Sequence, residues 1–436
     1  MPDGDVRFCD PRSKTSGKYG LTLDIVHEKV ESVYKTHFGK IVASLLYTFK
    51  SMELEHAEDI VQEAFSTAIT DWKEKGIPTN TAGWLYTVCK NKALNEIKKR
   101  ARVEPLNETV DIPTVESRFS ESLLEDQQLK LLFACAHPDL SPKIQVVITL
   151  KYVINLKVEV IAKVLALGID GVDKILVRAR KKIETDKILL EVPSNDELKS
   201  RLPIVHKVIY LVFNEGYKSS GGNEIIREEL CEEALLLARS LVNGVLCNSE
   251  SLSLYSLMLF HAARLKARFS SNGKLLDLEN QDRSLWQADL IALGKYYLER
   301  SESNPVSSFH IEACIAYTHC VAISFESTDW QLICQLYSKL LTGNANPFIE
   351  LNYAIALYFS GEKEKAFDIL KQLEKHPYMK NYFLLNATIG RFYVKQNKSD
   401  LAHQYLNKAI HQTNSALEKE FISTIIDEIA VKQKEH

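Results

Sequence analysis

The chain has 436 residues, 45% of them hydrophobic and 25% charged, and its 17 glycines and 12 prolines leave long segments without a helix breaker. That length allows several domains with real cores, and that scarcity predicts a mostly helical protein. The net charge of −3 divides into 28 Lys/Arg against 27 Asp/Glu up to residue 190 and 26 against 30 beyond it, so any nucleic-acid contact has to come from local basic faces rather than from a general polycation.

The N-terminal segment MPDGDVRFCDPRSK is polar and lacks the apolar core of a signal peptide, so residues 1–22 read as a flexible tail. No run approaches the ~20 apolar residues of a membrane span. The eight cysteines are dispersed without a CxxC pair, the pattern of reduced, mostly buried thiols. A cytoplasmic protein without membrane contacts is expected.

Residues 23–103 form the first predicted helical domain. In HAEDIVQEAFSTAITDW (56–72), Ile60, Val61, Ala64, Phe65 and Ala68 share one face, while Glu58, Asp59, Gln62 and Glu63 share the exposed one. That acidic face suits a basic partner element. After the loop KGIPTNT (75–81) comes NTAGWLYTVCKNKALNEIKKR (80–100). Here Leu85, Cys89, Ala93 and Ile97 make an apolar stripe by i, i+4 spacing. Lys90, Asn91, Asn95, Lys98, Lys99 and Arg102 project together on the other side, and Trp84 projects with them. One side can pack on a core while the other presents cations, amides and an aromatic. The plainer reading is a solvated surface helix with Trp84 tucked into a neighbouring groove.

Residues 104–126 carry Pro105, Pro113, seven acids and the single base Arg118, and predict an acidic linker over 104–123. A compact helical unit over 124–190 follows. Within it, residues 141–183 have the length and breaks of a helix-turn-helix. Ser141 and Pro142 make a clean helix start, and a turn falls at 167–168. Lys174, Arg178, Lys181 and Lys182 lie on the last helix. Two helix starts lack a good cap: Lys157 opens one, with Asn155 the nearest alternative, and Gly168 opens the other.

EVPSNDELKSRLP (191–203) reads as a second connection, and residues 204–436 as helix upon helix. Ala354, Leu357, Gly361, Ala366, Leu370 and Leu373 recur 36 residues later as Gly390, Tyr393, Asn397, Ala402, Leu406 and Ala409. Small residues allow close helix pairs, and Gly361 and Asn397 suit the left-handed turn ending the first helix of each pair. The pattern resembles tetratricopeptide repeats, whose usual period is about 34.

Three features invite chemistry. In LENQDRSLW (278–286), Glu279 and Asp282 could hold a metal or act as acid and base. No second acid cluster or histidine lies nearby in sequence, so pairing of Asp282 with Arg283 or with another repeat is the simpler expectation. NEGYKSSGG has a glycine pair without the lysine arrangement of a phosphate-binding loop. His206, His261, His310 and His319 lack metal-ligand spacing. The expectation is no cofactor, no metal and no enzymatic activity.

AEDIVQEAF followed by GWLYTVCKNKALNEIKKR resembles region 2 of the sigma-70 family of bacterial transcription initiation factors. The later helix-turn-helix resembles region 4, and the short linker between them fits the extracytoplasmic-function type, which lacks region 3. FACAHPDLSP (133–142), YLVFNEGYKSSGG (210–222) and LENQDRSLW are similar to signatures of a subgroup with a long C-terminal helical-repeat extension, so the resemblance covers about residues 25–436. It implies an all-α fold: two small sigma domains, then an α-solenoid of TPR-like helix pairs over 204–436.

The resemblance also implies roles. Glu58, Asp59, Gln62 and Glu63 would bind the clamp helices of the large subunit of core RNA polymerase. Trp84, Lys90, Asn91, Asn95, Lys98, Lys99 and Arg102 would read the −10 element of promoter DNA, and Lys174, Arg178, Lys181 and Lys182 the −35 element. The acidic linker would mimic nucleic acid in a positively charged channel. Glu279, Asp282, Arg283 and Trp286 would form a regulatory motif, and the repeats would take a protein or peptide ligand. Two rivals stay open: a helix-turn-helix regulator that binds duplex DNA and senses a ligand through its repeats, and a repeat-based adaptor without DNA function.

Overall fold

The computed structural model describes residues 16–49, 52–103, 121–191, 193–218, 226–303, 306–343 and 346–434. These residues are all-α, built from 18 α-helices joined by short 3-10 and π turns, with one isolated antiparallel bridge between Phe269 and Leu275. Most of the expected tail and of the acidic linker lies outside them, although helix α1 (Ser16–Thr48) already begins inside the stretch read as tail. The chain divides into two units, Met1–Val212 and Phe213–His436.

In the first unit, α1 packs with α2 (Leu54–Lys75) and α3 (Thr81–Val103). The 3.6-residue periodicity decides which side faces in. Ile60, Val61, Ala64, Phe65 and Ala68 of α2 and Leu85, Cys89 and Ala93 of α3 are buried against Val33, Phe38, Ile41 and Leu45 of α1. Trp72 adds its whole ring to this core at 2% exposure, a burial worth about 2–3 kcal/mol. Helix α2 stops at Gly76, whose φ of +86° is open to glycine and strained for other residues. Helix α3 starts on Asn80, whose side chain accepts from the Gly83 N–H at 2.8 Å.

The segment 124–190 folds as α4 (Glu121–Cys135), α5 (Pro142–Ile148), a π turn Thr149–Val153, α6 (Val158–Val164) and α7 (Ile169–Thr185). Ser141 caps α5 as expected, its hydroxyl accepting from Ile144 N–H at 3.5 Å. Asn155 does not cap α6. It sits at φ +59° just beyond the π turn, and α6 begins on Lys157 with no side-chain cap. An Asn tolerates that left-handed position better than most residues, which explains the amide there. Helix α7 begins on Gly168, also uncapped.

The segments 23–103 and 124–190 pack on each other. Helix α4 and the π turn lie along α1. Gln128, 1% exposed, donates to the Val153 carbonyl at 3.3 Å. Gly39 approaches the same carbonyl so closely that an added Cβ would stand 1.9 Å from its oxygen.

The expected connection over 191–203 is mostly helix. Helix α8 (Asn195–Tyr217) opens with Ser194, whose hydroxyl and N–H both donate to the Glu197 carboxylate at 2.7 and 3.0 Å. Buried Arg201 donates to the Phe133 carbonyl at 3.0 Å, which ties this helix to the end of α4. Because its first turn is capped and Arg201 holds it to α4, the stretch behaves as structure and not as a linker.

In the second unit, α14 (Pro347–Phe359) and α15 (Lys363–Lys375) form one helix pair, and α16 (Phe383–Lys395) and α17 (Ser399–Gln412) the next, each start displaced by 36 residues. Gly361 and Asn397 take φ of +101° and +59° at equivalent turns. The Glu362 N–H returns to Leu357 O and the Lys398 N–H to Tyr393 O, both at 2.9 Å, so both turns recover a carbonyl that the helix end would leave unpaired. Ala354, Ala366 and Leu370 are fully buried in one pair and Ala402, Leu406 and Ala409 in the next. A Cβ on Gly390 would stand 2.7 Å from Leu406 Cγ, which is why a glycine occupies that close crossing.

Candidate functional site

The acidic face expected on α2 is split. Asp59, Gln62 and Glu63 are exposed, and Glu63 pairs with Lys92 of α3 at 3.0 Å. Glu58 is only 13% exposed at its side chain, because Lys151 of the π turn reaches it at 2.5 Å. One turn earlier, Glu55 pairs with Arg180 of α7 at 2.5 Å. Arg180 also hydrogen-bonds the Tyr152 hydroxyl, and this bond is the first cause of its raised pKa. Lys92, Lys151 and Arg180 escaped the sequence reading, since pairings across 29, 93 and 125 positions leave no local periodicity.

On α3, Asn91, Asn95, Lys98 and Lys99 are exposed and Lys90 is half-buried. The side chain of Arg102 lies outside the described residues, although its backbone continues the helix. Trp84 leans edge-on against Trp72 with ring centroids 5.6 Å apart. It braces the start of α3 and remains partly exposed. His56 of α2 meets Glu96 at 2.5 Å, which fixes the rotation of α3 on α2.

On α7, Lys174, Arg178 and Lys181 are exposed, whereas Lys182 is half-buried and pairs with Asp186 at 2.6 Å. The spacing 174, 178, 181 puts the three exposed cations on one face, and the buried Val172, Ile175, Leu176 and Ala179 put the opposite face on the core.

The motif 278–286 is structural in its contacts. Asp282 does not pair with Arg283 as expected; its carboxylate accepts from Ser284 N–H at 2.9 Å and caps the 3-10 turn Arg283–Leu285. Arg283 instead donates to the carbonyls of His319 and Ala322 at 2.8 and 2.7 Å. Its guanidinium also covers the ring of buried Trp286 at 4.5 Å. Glu279 does reach another repeat, pairing with Arg391 and Lys395 of α16 at 3.2 and 2.6 Å. A cavity of about 190 Å³ beside it is lined by Asp277, Glu279, His319, Trp330, Phe359 and Arg391. Burial, reinforced by Arg264 and Arg283, lowers the His319 pKa to about 3, so this ring is neutral in the folded protein.

Of the other histidines, His206 and His261 pack inside, and His310 meets the Ser301 hydroxyl at 2.9 Å. Burial pushes the Cys89, Cys135 and Cys231 thiols up to about 12, while Cys247 is exposed. Cys9 and the glycine pair of NEGYKSSGG lie outside the described residues. Among the described residues no three His, Cys, Asp or Glu side chains converge as metal ligands, and no helix is long and apolar enough to cross a membrane.

Helices α2 and α3 thus set an acidic helix face beside a helix bearing cations, amides and a partly exposed tryptophan. Residues 36–103, which carry that surface, match the family model of sigma-70 region 2, and residues 201–302 match a family of unknown function, DUF6596. The chain is also 29% identical over 399 residues to an uncharacterized protein of Rhizobium meliloti (strain 1021), covering 90% of this chain and 93% of that one. No solved structure matches. The region 2 match supports a member of the sigma-70 family.

Proposed function

We propose that the protein is an RNA polymerase sigma factor of the extracytoplasmic-function type, working in the cytoplasm with core polymerase and promoter DNA. The observation that carries this reading is the coincidence of the region 2 match with the exposed face of α3. In this reading Lys90, Lys98, Lys99 and Arg102 track the phosphates of the strand that unpairs. Asn91, Asn95 and the exposed part of Trp84 receive its unstacked bases. Glu58, Asp59, Gln62 and Glu63 meet the clamp helices of the large polymerase subunit. Helices α6 and α7 act as a helix-turn-helix, with Lys174, Arg178, Lys181 and Lys182 on the −35 duplex. The helix pairs after α8 act as TPR-like repeats that bind a protein or peptide, or regulate the factor in cis, with Glu279, Asp282, Arg283 and Trp286 holding the junction between repeats.

In vitro transcription with purified core polymerase tests this. Promoter-specific initiation that depends on the added protein is the expected result. Binding to duplex DNA without binding to core polymerase would replace this reading with a helix-turn-helix regulator, and binding to neither would leave a repeat adaptor.

A further inference from the structure

The cavity of about 190 Å³ in the second unit has an aromatic floor and a charged rim. The floor is Phe325, Trp330 of α13 (Trp330–Gly343) and Phe359 of α14. The Trp330 ring stands 5.0 Å from Phe325 and 4.9 Å from Phe359, and Trp330 and Phe325 are both 9% exposed. His319 stands edge-on to Trp330 at 5.2 Å and, being neutral, brings no charge to this wall.

The rim is partly exposed, and its charges are ordered. Arg391 of α16 bridges Asp277 and Glu279 through Nη2 alone, and Glu279 also takes Lys395 at 2.6 Å. Asp277 is braced from its other oxygen by Asn280, whose N–H and amide donate to Oδ1 at 3.0 and 2.8 Å. Two acids and two bases thus alternate and cancel. Anchoring through Nη2 leaves the Nε and Nη1 donors of Arg391 uncommitted among the described residues, in the planar fork that fits a carboxylate. The exposed amide of Asn352 lines the same cavity. The rim carboxylates keep lone pairs that an ammonium can use.

Size selects the class of ligand. An apolar cavity of ~150 Å³ accepts a benzene ring, whereas sites for drug-sized molecules start at about 300 Å³. This cavity therefore takes one ring or one branched chain, not a nucleotide. The rim selects the head group. A lone cation or a lone anion gains little from charges that cancel, while a zwitterion finds a guanidinium for one end and two carboxylates for the other.

We infer that this cavity binds a free α-amino acid with an apolar, single-ring or branched side chain. Arg391 and Asn352 take its carboxylate, Asp277 and Glu279 take its ammonium, and the side chain enters against Trp330 and Phe359. The inference goes beyond the sigma-factor reading and holds whether or not the chain binds core polymerase.

Calorimetric titration of the full-length chain tests it. The probes are L-phenylalanine and L-leucine, with phenethylamine, 3-phenylpropionate and glycine as partial ligands. L-phenylalanine is expected to bind at one site with a Kd between about 10 μM and 1 mM, and each partial ligand at least ~10-fold more weakly. Arg391→Gln should abolish binding. Asn352→Asp sets a like charge against the ligand carboxylate, so it should weaken L-phenylalanine about 10-fold and phenethylamine not at all. Ala356→Leu fills the cavity from a buried position and should remove binding with the rim intact. Thermal unfolding checks that each variant folds; should Arg391→Gln or Ala356→Leu fail to, Asn352→Asp decides, because that side chain is exposed. No heat from either amino acid up to about 10 mM would overturn the site. So would phenethylamine or 3-phenylpropionate binding as tightly as L-phenylalanine. Binding left unchanged by Asn352→Asp would overturn it too, since the ligand would then lie elsewhere.

Discussion

Neighbouring carboxylates on α2 have different surroundings and so different consequences. Asp59 and Glu63 are exposed, and the Glu63–Lys92 pair leaves the glutamate 63% exposed, where an ion pair is worth at most about 1 kcal/mol. The Asp59→Lys, Glu63→Lys double variant is therefore expected to weaken binding to core polymerase while its urea midpoint stays near wild type. Unchanged affinity in a pull-down would refute the acidic docking face. Glu58→Ala is expected to cost about 1–3 kcal/mol of stability, since it strips the partner from Lys151, itself only 22% exposed. The acidic stripe was legible because periodicity places it. Which acid is already occupied was not, because Lys151 lies 93 positions away.

His319 makes a second residue-scale prediction. Its folded pKa of about 3 lies below the ordinary histidine value of about 6.5, chiefly through burial. His261 is shifted in the same direction for the same first reason. The unfolded chain therefore binds protons that the folded chain refuses. The stability held above pH ~6.5 is lost progressively as pH falls towards the folded value. Urea unfolding at pH 7.5 and 5.5 should show the second unit weaker at the lower pH. His319→Phe should flatten part of that difference, because the carbonyl that accepts from Arg283 belongs to the backbone and survives the change.

At the scale of elements, the two uncapped starts of α6 and α7 are weak points. Lys157 has the extended backbone of an N-cap, φ −65° and ψ 148°, but no oxygen to offer. Lys157→Ser should raise stability by about 1 kcal/mol, whereas Gly168→Ser should add only a few tenths, since glycine is already tolerable there. Thermal unfolding of the paired variants would show the ordering, and equal gains would contradict this account of the caps. On α3, Lys98→Ala with Lys99→Ala should lower single-strand affinity and flatten its salt dependence by up to about 1.4 in log–log slope, at about 0.7 for each lost phosphate contact. An unchanged slope from 50 to 200 mM salt would remove these lysines from the strand path.

Element boundaries were legible where a side-chain pattern marks them and were missed where composition misled. The inward stripes of α2 and α3 follow from spacing alone, and both are buried except at Ile97, which is partly exposed. Helix α8 reads as a connection in the sequence because SNDELKSRLP is polar and contains Pro203. The signal was present: Ser194 followed three residues later by Glu197 is a capping-box pattern, and the Glu197 carboxylate does reach back to the Ser194 N–H, while the Ser194 hydroxyl donates to the same carboxylate. Asn155 went wrong in the opposite way. An amide just before a helix suggested a cap, but the unpredicted π turn required a left-handed residue at that place.

At the scale of the whole molecule, the first unit ends at Val212 and not at the polar stretch near 193. A chain cut at Pro193 loses Arg201 and leaves the Phe133 carbonyl without its donor. It should be about 1–3 kcal/mol less stable than a chain cut at Val212. The longer piece is expected to bind core polymerase yet initiate abnormally, either inactive or freed from control. If it matches the full chain in purified transcription and in stressed cells, the repeats are a passive extension. The period of 36 was readable from the sequence because each pair repeats the same close crossing and the same left-handed turn.

That period also sets how the second unit can change in length. Helices α14 to α17 repeat both their starts and their turns at 36-residue steps, and neighbours in such an array contact mainly the next pair. Genetic insertion of a second copy of residues 363–398 would present a complete α15–α16 equivalent between a turn it fits and a helix it fits. Loss of one such block would be absorbed in the same way. An insertion of 30 or 40 residues would bring Gly361 or Asn397 to the wrong phase and leave an alanine stripe facing water. Growth and shrinkage of this half of the protein are therefore quantised, with the helix pair as the indivisible step.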